Sequence, residues 1–504
     1  MKRKNSSSSD MLEHSAGDIS SPMLSPRRHR QKGNETFNFM LRVVNSSFVF
    51  SLLTLPFYFQ MIGIIFGVFG CLFFFILSYF QSLLLLDLKY YARSKKKQGT
   101  LTKLFELFQM PKYSADIYRG IMIFNAYLYI VLLMCVFQSS IQSLIYMMSK
   151  QQITDQWAQS LASQQFIQFI GSLLMIPFFV KWKYPVYIVA IARILGVFSM
   201  VFIIIASFSI SHSSNPNQYL YPSSQKVVQS FISTPTILMA FAYHSQFFTG
   251  RASDKGFEND DDIEKKLKQG ALLGSLFLMC AEIAFSILAA IAFTSVNSEL
   301  DSLYGNLIRM VYQSKNFIPP LDNTYFYIFY IFIAVSAQLQ LLQYIPYATV
   351  LILNIWDKKP LIPKEKNVEF MLITDGDFHK EEEKENKKSQ TMNHKFRQSF
   401  AIHEEAKLKQ NQKTSIFVTI IIYILAFIFA MAKPPILLLS CLMGATSQNF
   451  VTFLIPSILY LDQQFKFDTD IYKKCFAWFT LIFSIFFSII SVSFGLYGLY
   501  QDEI

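Results

Sequence analysis

The chain has 504 residues, 52% of them hydrophobic and only 16% charged, with 52 phenylalanines and a formal net charge of +11. A soluble globular protein carries roughly 25% charged residues, whereas here apolar runs reach the ~20 residues that cross a bilayer core. This excludes a soluble domain and, because no segment alternates over about ten residues, a membrane β-barrel as well.

The chain is therefore expected to be an all-α polytopic membrane protein. Its basic excess sits in tails and short loops, as the cytoplasmic side of such a protein requires, and is no nucleic-acid signal.

Residues 1–35 are Ser-rich and basic and lack the apolar region of a cleavable signal, so they read as a disordered cytosolic tail. Ser21-Pro22 and Ser25-Pro26, beside Arg27 and Arg28, are candidate phosphorylation sites. Eleven spans follow, at 37–61, 64–91, 115–148, 163–181, 186–210, 229–249, 268–295, 324–356, 414–432, 435–460 and 474–499. The transmembrane domain runs over 36–500, with spans one to five at 37–210, six to ten at 229–460 and eleven at 474–499.

The loops orient these spans. Loop 92–114 carries Arg93, Lys95, Lys96 and Lys97, and loop 357–413 holds many lysines, while 149–162, 211–228 and 296–323 are poor in both cations. Lys and Arg mark the cytoplasmic side, so the N-terminus is expected inside and the C-terminus outside. Within the first inner loop, Leu101, Leu104, Phe105 and Phe108 share one helical face, which suits a short helix lying on the inner surface. Loop 357–413 is a long insertion charged in both signs, and it reads as disordered or regulatory. Its His379, His394 and His403 match no metal spacing.

Span one begins Asn45-Ser46-Ser47 and places Pro56 in its middle. Span six contains Pro235, His244, Ser245 and Gln246. A proline removes a backbone donor and frees the carbonyl one turn back, which in lipid must find a partner or line a wet cavity. These two interrupted spans stand five helices apart. That spacing is expected of two inverted five-helix repeats, each led by a broken helix.

Glu282 is the only carboxylate near a span centre, in span seven. On insertion scales a lone intramembrane carboxylate costs roughly 2.5–3.5 kcal/mol unless protonated or paired. It is a proton-coupling candidate or one half of a structural pair, with Arg193 of span five as the possible partner. His244 is either a substrate or proton ligand or a packing histidine. Cys71, Cys135, Cys280, Cys441 and Cys475 lie in or beside apolar spans without CxxC spacing, and read as buried free thiols. No GxSxG, HExxH or GxxxxGK[ST] motif occurs, so nothing suggests an enzyme.

Three blocks carry a resemblance. Asn45 to Gly63 resembles a motif NxxxGSGILGLPxAFxxxG, and Phe241 to Gln246 resembles FAFxCH. The third block, Pro434 to Leu461, contains Gly444-Ala445-Thr446-Ser447, Pro456 and Tyr460-Leu461. These motifs belong to the amino acid/auxin permease family, which includes the sodium-coupled neutral and proton-coupled amino acid transporters. The chain is similar to it over roughly 36–462.

The resemblance implies a LeuT-like fold, an inverted 5+5 helix repeat plus an eleventh transmembrane helix. It also implies transport of amino acids by alternating access, in a plasma, vacuolar or lysosomal membrane. Substrate would be held by Asn45, Ser46, Val49, Ser51 and Thr54 of span one and by Phe241, Ala242, Tyr243 and His244 of span six. Thr446 and Ser447 would gate. The physics suits an amino acid, because unwound helices offer free N–H groups to its carboxylate and free carbonyls to its ammonium.

The family's Gly-Ser-Gly falls here on Val49, Phe50 and Ser51 and its third glycine on Thr54, and its sodium-site hydroxyl falls near Gln338 or Leu339. The second departure points away from sodium toward proton coupling or exchange, with H+ or Na+ as the possible coupling ion. No cofactor or metal is expected. The first departure leaves open a second class of function, a non-transporting amino-acid sensor or scaffold. The tail and loop 357–413 would then bind regulatory partners.

Overall fold

The computed structural model describes residues 35–94, 104–105, 108, 110–148, 163, 166–171, 175, 186–208, 233–244, 260–293, 306–314, 323–356, 414–463 and 471–502. Nearly all of the expected tail, loop 357–413, most of span four and both ends of span six lie outside these residues.

Every regular element among the described residues is a helix, without strands. Span one is Glu35–Ile62, span two Ile64–Ser94, span three Lys112–Met148 and span five Val186–Phe208. Span six appears as Pro235–Ala240, span seven as Asp260–Ala292 and span eight as Asn323–Trp356. Span nine is Thr414–Met431, span ten runs over Ile436–Asp462 and span eleven is Ile471–Asp502. Seven of the helices are long and apolar enough to cross a membrane.

Two helix ends show why the chain turns where it does. Gly63 closes span one at φ 86°, a left-handed conformation that glycine adopts freely, and its N–H donates to the Phe59 carbonyl at 3.0 Å. Lys433 ends span nine at φ 54°, and Pro434 and Pro435 then forbid continuation.

Spans one and seven lie side by side, parallel and in register. Thr36 meets Gly270, Val43 meets Gly274, Ser51 donates to Glu282, and Gln60 donates to the Ala290 and Phe293 carbonyls at 3.2 Å each. The small-xxx-small pair Gly270 and Gly274 permits this approach. A Cβ on Gly270 would come within 2.8 Å of the Thr36 carbonyl oxygen.

Spans three and eight form the other main seam, with span five packed on span eight and span ten on span three. An inverted repeat that relates span three to eight and five to ten generates this arrangement. Their shared core includes Leu133, Cys135, Phe329, Tyr330, Leu341 and Leu439. A second, aromatic core joins Tyr58, Phe59, Phe74, Phe241 and Phe453, spanning helices one, two, six and ten.

Four expectations are corrected. Span one is not broken: it is helical without interruption from Glu35 to Ile62, Pro56 included. Where the resembled motif has glycine this chain has Val49, Ser51 and Thr54, whose β-carbons favour helical backbone.

Leu104, Phe105 and Phe108 do not face lipid headgroups. They are buried with Phe39 and Tyr118, because spans one and three offer an apolar surface there. The stretch 296–323 contains a helix, Leu307–Ser314, whose Leu307, Ile308, Met310 and Val311 are buried in the main core. Finally, Cys280 and Cys475 are exposed, and only Cys71, Cys135 and Cys441 are buried.

Candidate functional site

Glu282 is fully buried in span seven. One carboxylate oxygen accepts a hydrogen bond from the Ser51 hydroxyl of span one, and the other has no hydrogen-bond partner. The expected pairing with Arg193 does not occur, because the parallel register of spans one and seven delivers Ser51 to this position instead.

One turn farther along each helix, the buried hydroxyls of Thr54 and Ser286 also lack partners. The seam therefore carries one carboxyl group and three hydroxyls in a buried setting. Such a set can take up and release a proton, or supply hard oxygen ligands to a small cation.

Span six breaks after Ala240. Its short helix starts with Pro235 at the first turn, where the missing N–H is harmless, and is wholly buried. The backbone then passes through a turn at Phe241 and irregular structure at Ala242 and Tyr243. This is the interruption that Pro235 and the following polar residues predict.

The side chains there are anchored. Phe241 packs in the aromatic core, 6.5 Å from the Phe75 ring. Tyr243 is buried and stacks on His244 with ring centroids 4.8 Å apart. His244 Nε2 lies 2.9 Å from the Ser78 carbonyl oxygen of span two. A carbonyl only accepts, so Nε2 carries the proton in this bond. Ala242 is half-buried. Asn45, Ser46 and Val49 lie on the span-one helix, and their side chains fall outside the described residues.

Span ten holds the third piece. Its Gly444–Gln448 and Phe450–Leu454 segments wind as π-helix between α-helical ends. π-Turns widen a helix and collect at functional positions. Gly444 fits against span six, since a Cβ there would lie 2.0 Å from the Pro235 carbonyl oxygen. Span eleven supports the widened segment from behind. Ser488 donates to the Ala445 carbonyl, and Asn449 donates to the Ser484 carbonyl at 2.7 Å.

Thr446 hydrogen-bonds its own helix at the Leu442 carbonyl, whereas Ser447 donates to Asn125 of span three at 2.8 Å. The next residue, Gln448, donates to Asn125 at 3.0 Å and to the Tyr129 hydroxyl at 3.1 Å. Tyr129 stacks on Tyr344 of span eight at 4.8 Å, and the neighbouring Gln343 accepts from Arg193 of span five at 2.7 Å. A polar chain thus links spans ten, three, eight and five.

Sequence alone misses Asn125, Tyr129, Gln343, Tyr344 and Gln448. The polarity of Asn125, Gln343 and Gln448 within apolar helices is the signal that could have flagged them.

No family model and no curated protein matches this sequence. Solved structures do match. The crystal structure of MhsT in complex with L-phenylalanine aligns at a TM-score of 0.50 and 9% identity, over 91% of this chain and 98% of that one. A manganese transporter from Eremococcus coleocola, in complex with an aromatic bis-isothiourea substituted compound, aligns at 0.44 and 13%, over 97% and 92%. A Na+-coupled sialic acid symporter in its substrate-bound outward-open state aligns at 0.40 and 10%, over 94% of each chain. At these identities the likeness is one of fold, and it rests on the first. The chain is an integral membrane protein with the LeuT-like fold.

Proposed function

We propose that this protein is a secondary active transporter of amino acids that works by alternating access, driven by protons or by exchange rather than by sodium. The observation that carries this reading is the pairing of an interrupted span six with a buried, half-satisfied carboxyl group at the seam of spans one and seven. Backbone freed beyond Ala240 offers groups suited to the carboxylate and ammonium that all amino acids share. Glu282 supplies the coupling proton site. MhsT, whose crystal structure holds L-phenylalanine, adds support for an amino-acid cargo through the shared fold. The membership suggested by the sequence motifs, in the amino acid/auxin permease family, is part of this proposal.

In this reading Ser51, Thr54 and the Phe241–His244 backbone face the cargo or the proton site. Thr446 and Ser447 move when span ten opens. The tail and loop 357–413 are where regulatory partners bind, with the N-terminus in the cytosol. The membrane is the plasma membrane or that of a vacuole or lysosome.

One observation favours a second reading, a sensor or scaffold on the same fold. Span one is a continuous helix, and such a helix offers substrate fewer free backbone groups than an unwound one. Solute counterflow in proteoliposomes separates the two. The transporter reading requires trapped unlabelled amino acid to draw in labelled amino acid against its gradient. A folded preparation that binds amino acids yet shows no counterflow across a broad panel would establish the sensor instead.

A further inference from the structure

The interior of the helix bundle is sparing with charge. Among the described residues the buried basic and acidic side chains are Arg193, His244 and Glu282. His244 is held by the Ser78 carbonyl and Glu282 by the Ser51 hydroxyl. Arg193 stands apart from both, on span five, and is 8% exposed.

Its surroundings solvate the charge without cancelling it. Arg193 donates to Gln343 of span eight at 2.7 Å, and the Tyr344 hydroxyl lies against the same guanidinium. Both of these groups are neutral. Spans five and eight carry no acidic residue at all, and span three carries only Asp116, which pairs with Arg119 in its first turns. A guanidinium keeps its proton at any working pH. An intramembrane charge is costly, and where one persists it faces the bundle interior or a wet cavity and commonly marks a solute path.

The charge also reaches toward the centre of the bundle. Tyr344 stacks on Tyr129 at 4.8 Å, and the Tyr129 hydroxyl accepts from Gln448 at 3.1 Å. Two tyrosines thus separate the guanidinium from the π-wound part of span ten, which packs on the interrupted span six at Gly444 and Pro235. Two unit charges about 10 Å apart at an effective dielectric of about 20 interact by an amount worth on the order of tenfold in affinity. Such a field penalises a cation, favours an anion and leaves a zwitterion, whose charges offset, nearly untouched.

We propose that Arg193 sets the charge selectivity of the cargo site: the protein accepts neutral and acidic amino acids and rejects cationic ones such as lysine and arginine. This rests on the amino-acid cargo of the proposed function and names its class. Arg193 acts through its field, so contact with the cargo is not required.

The test is equilibrium binding of labelled neutral, acidic and cationic amino acids to the purified full-length protein in nanodiscs at neutral pH. Wild type should bind its best neutral or acidic ligand about tenfold more tightly than lysine or arginine. Arg193→Gln should erase most of that margin, and Arg193→Lys, which keeps the charge, should hold it. Gln343→Glu sets a carboxylate against the guanidinium and should erase the margin as well, which keeps the test decisive if Arg193→Gln does not fold. A merely structural Arg193 would weaken all ligands alike and leave the margin unchanged. Lysine bound by wild type as tightly as neutral ligands overturns the proposal, as does a margin that survives in the folded variants. Discrimination without counterflow removes transport and leaves this inference standing, whereas counterflow of lysine beside neutral amino acids does the reverse. Absence of binding across the whole panel overturns both.

Discussion

Gly444→Ala probes the contact between the π-wound part of span ten and the start of span six. The added methyl would lie 2.0 Å from the Pro235 carbonyl oxygen and 3.0 Å from Pro235 Cβ, where ordinary contact begins at 3.4 Å. The oxygen belongs to backbone, so no side chain can swing aside. Either the span-six helix or the π segment must move. Overpacking of a tight interior generally costs about 1–3 kcal/mol. A loss of that size should lower the midpoint of thermal unfolding in detergent by a few degrees, roughly 2–4 °C per kcal/mol in a domain of 150–250 residues and less in a longer chain.

Gly120→Ala is the matched control, because nothing lies within 4 Å of a Cβ placed there. If the two variants melt together at the wild-type midpoint, spans six and ten are not in the contact described. If Gly444→Ala melts normally but changes uptake, the contact is one that opens during transport.

Further predictions concern the polar groups. Ser51→Ala removes the hydroxyl that Glu282 accepts from and should displace the pH profile of uptake while leaving folded yield intact. Ser51→Thr, which keeps the hydroxyl, should behave as wild type in the same assay. Gln448→Leu deletes two interhelical hydrogen bonds, to Asn125 and Tyr129. Such bonds average roughly 0.6 kcal/mol in a membrane protein, so thermal unfolding should shift only slightly. The uptake rate should change more if span ten must part from span three during the cycle. His244→Gln retains a donor for the Ser78 carbonyl and should keep both folding and the pH response. Loss of the pH response in that variant would make His244, not Glu282, the proton site.

Particular residues show what the sequence discloses and what it conceals. Glu282 is legible because a lone acid in an apolar helix stands out by composition. Its partner Ser51 is 231 positions away and becomes visible only once Gly270 and Gly274 set the register of two parallel helices. The interruption of span six is legible from Pro235 and the polar residues after it, since proline there starts a short helix and the chain beyond cannot continue it. The same logic applied to Pro56 fails. Without glycines nearby, the backbone of span one has no residue that favours leaving the helix, so the proline is absorbed.

The motif at 444–447 is legible as unusual. Its π winding is not, because that depends on Ser488 and Asn449 meeting backbone and side chains across the interface with span eleven. Arg193 is legible as a buried charge, but its choice of Gln343 follows from the packing of span five on span eight.

The most direct test of the central claim is amino acid uptake into proteoliposomes under an imposed pH gradient, with interior pH followed by a trapped dye, for wild type and Glu282→Gln. With proton coupling through Glu282, acid outside accelerates wild-type uptake and uptake acidifies the interior. In Glu282→Gln both responses should vanish, while exchange of substrate across the membrane continues. Uptake driven by a sodium gradient and indifferent to pH, or a Glu282→Gln variant with the wild-type pH response, would contradict it.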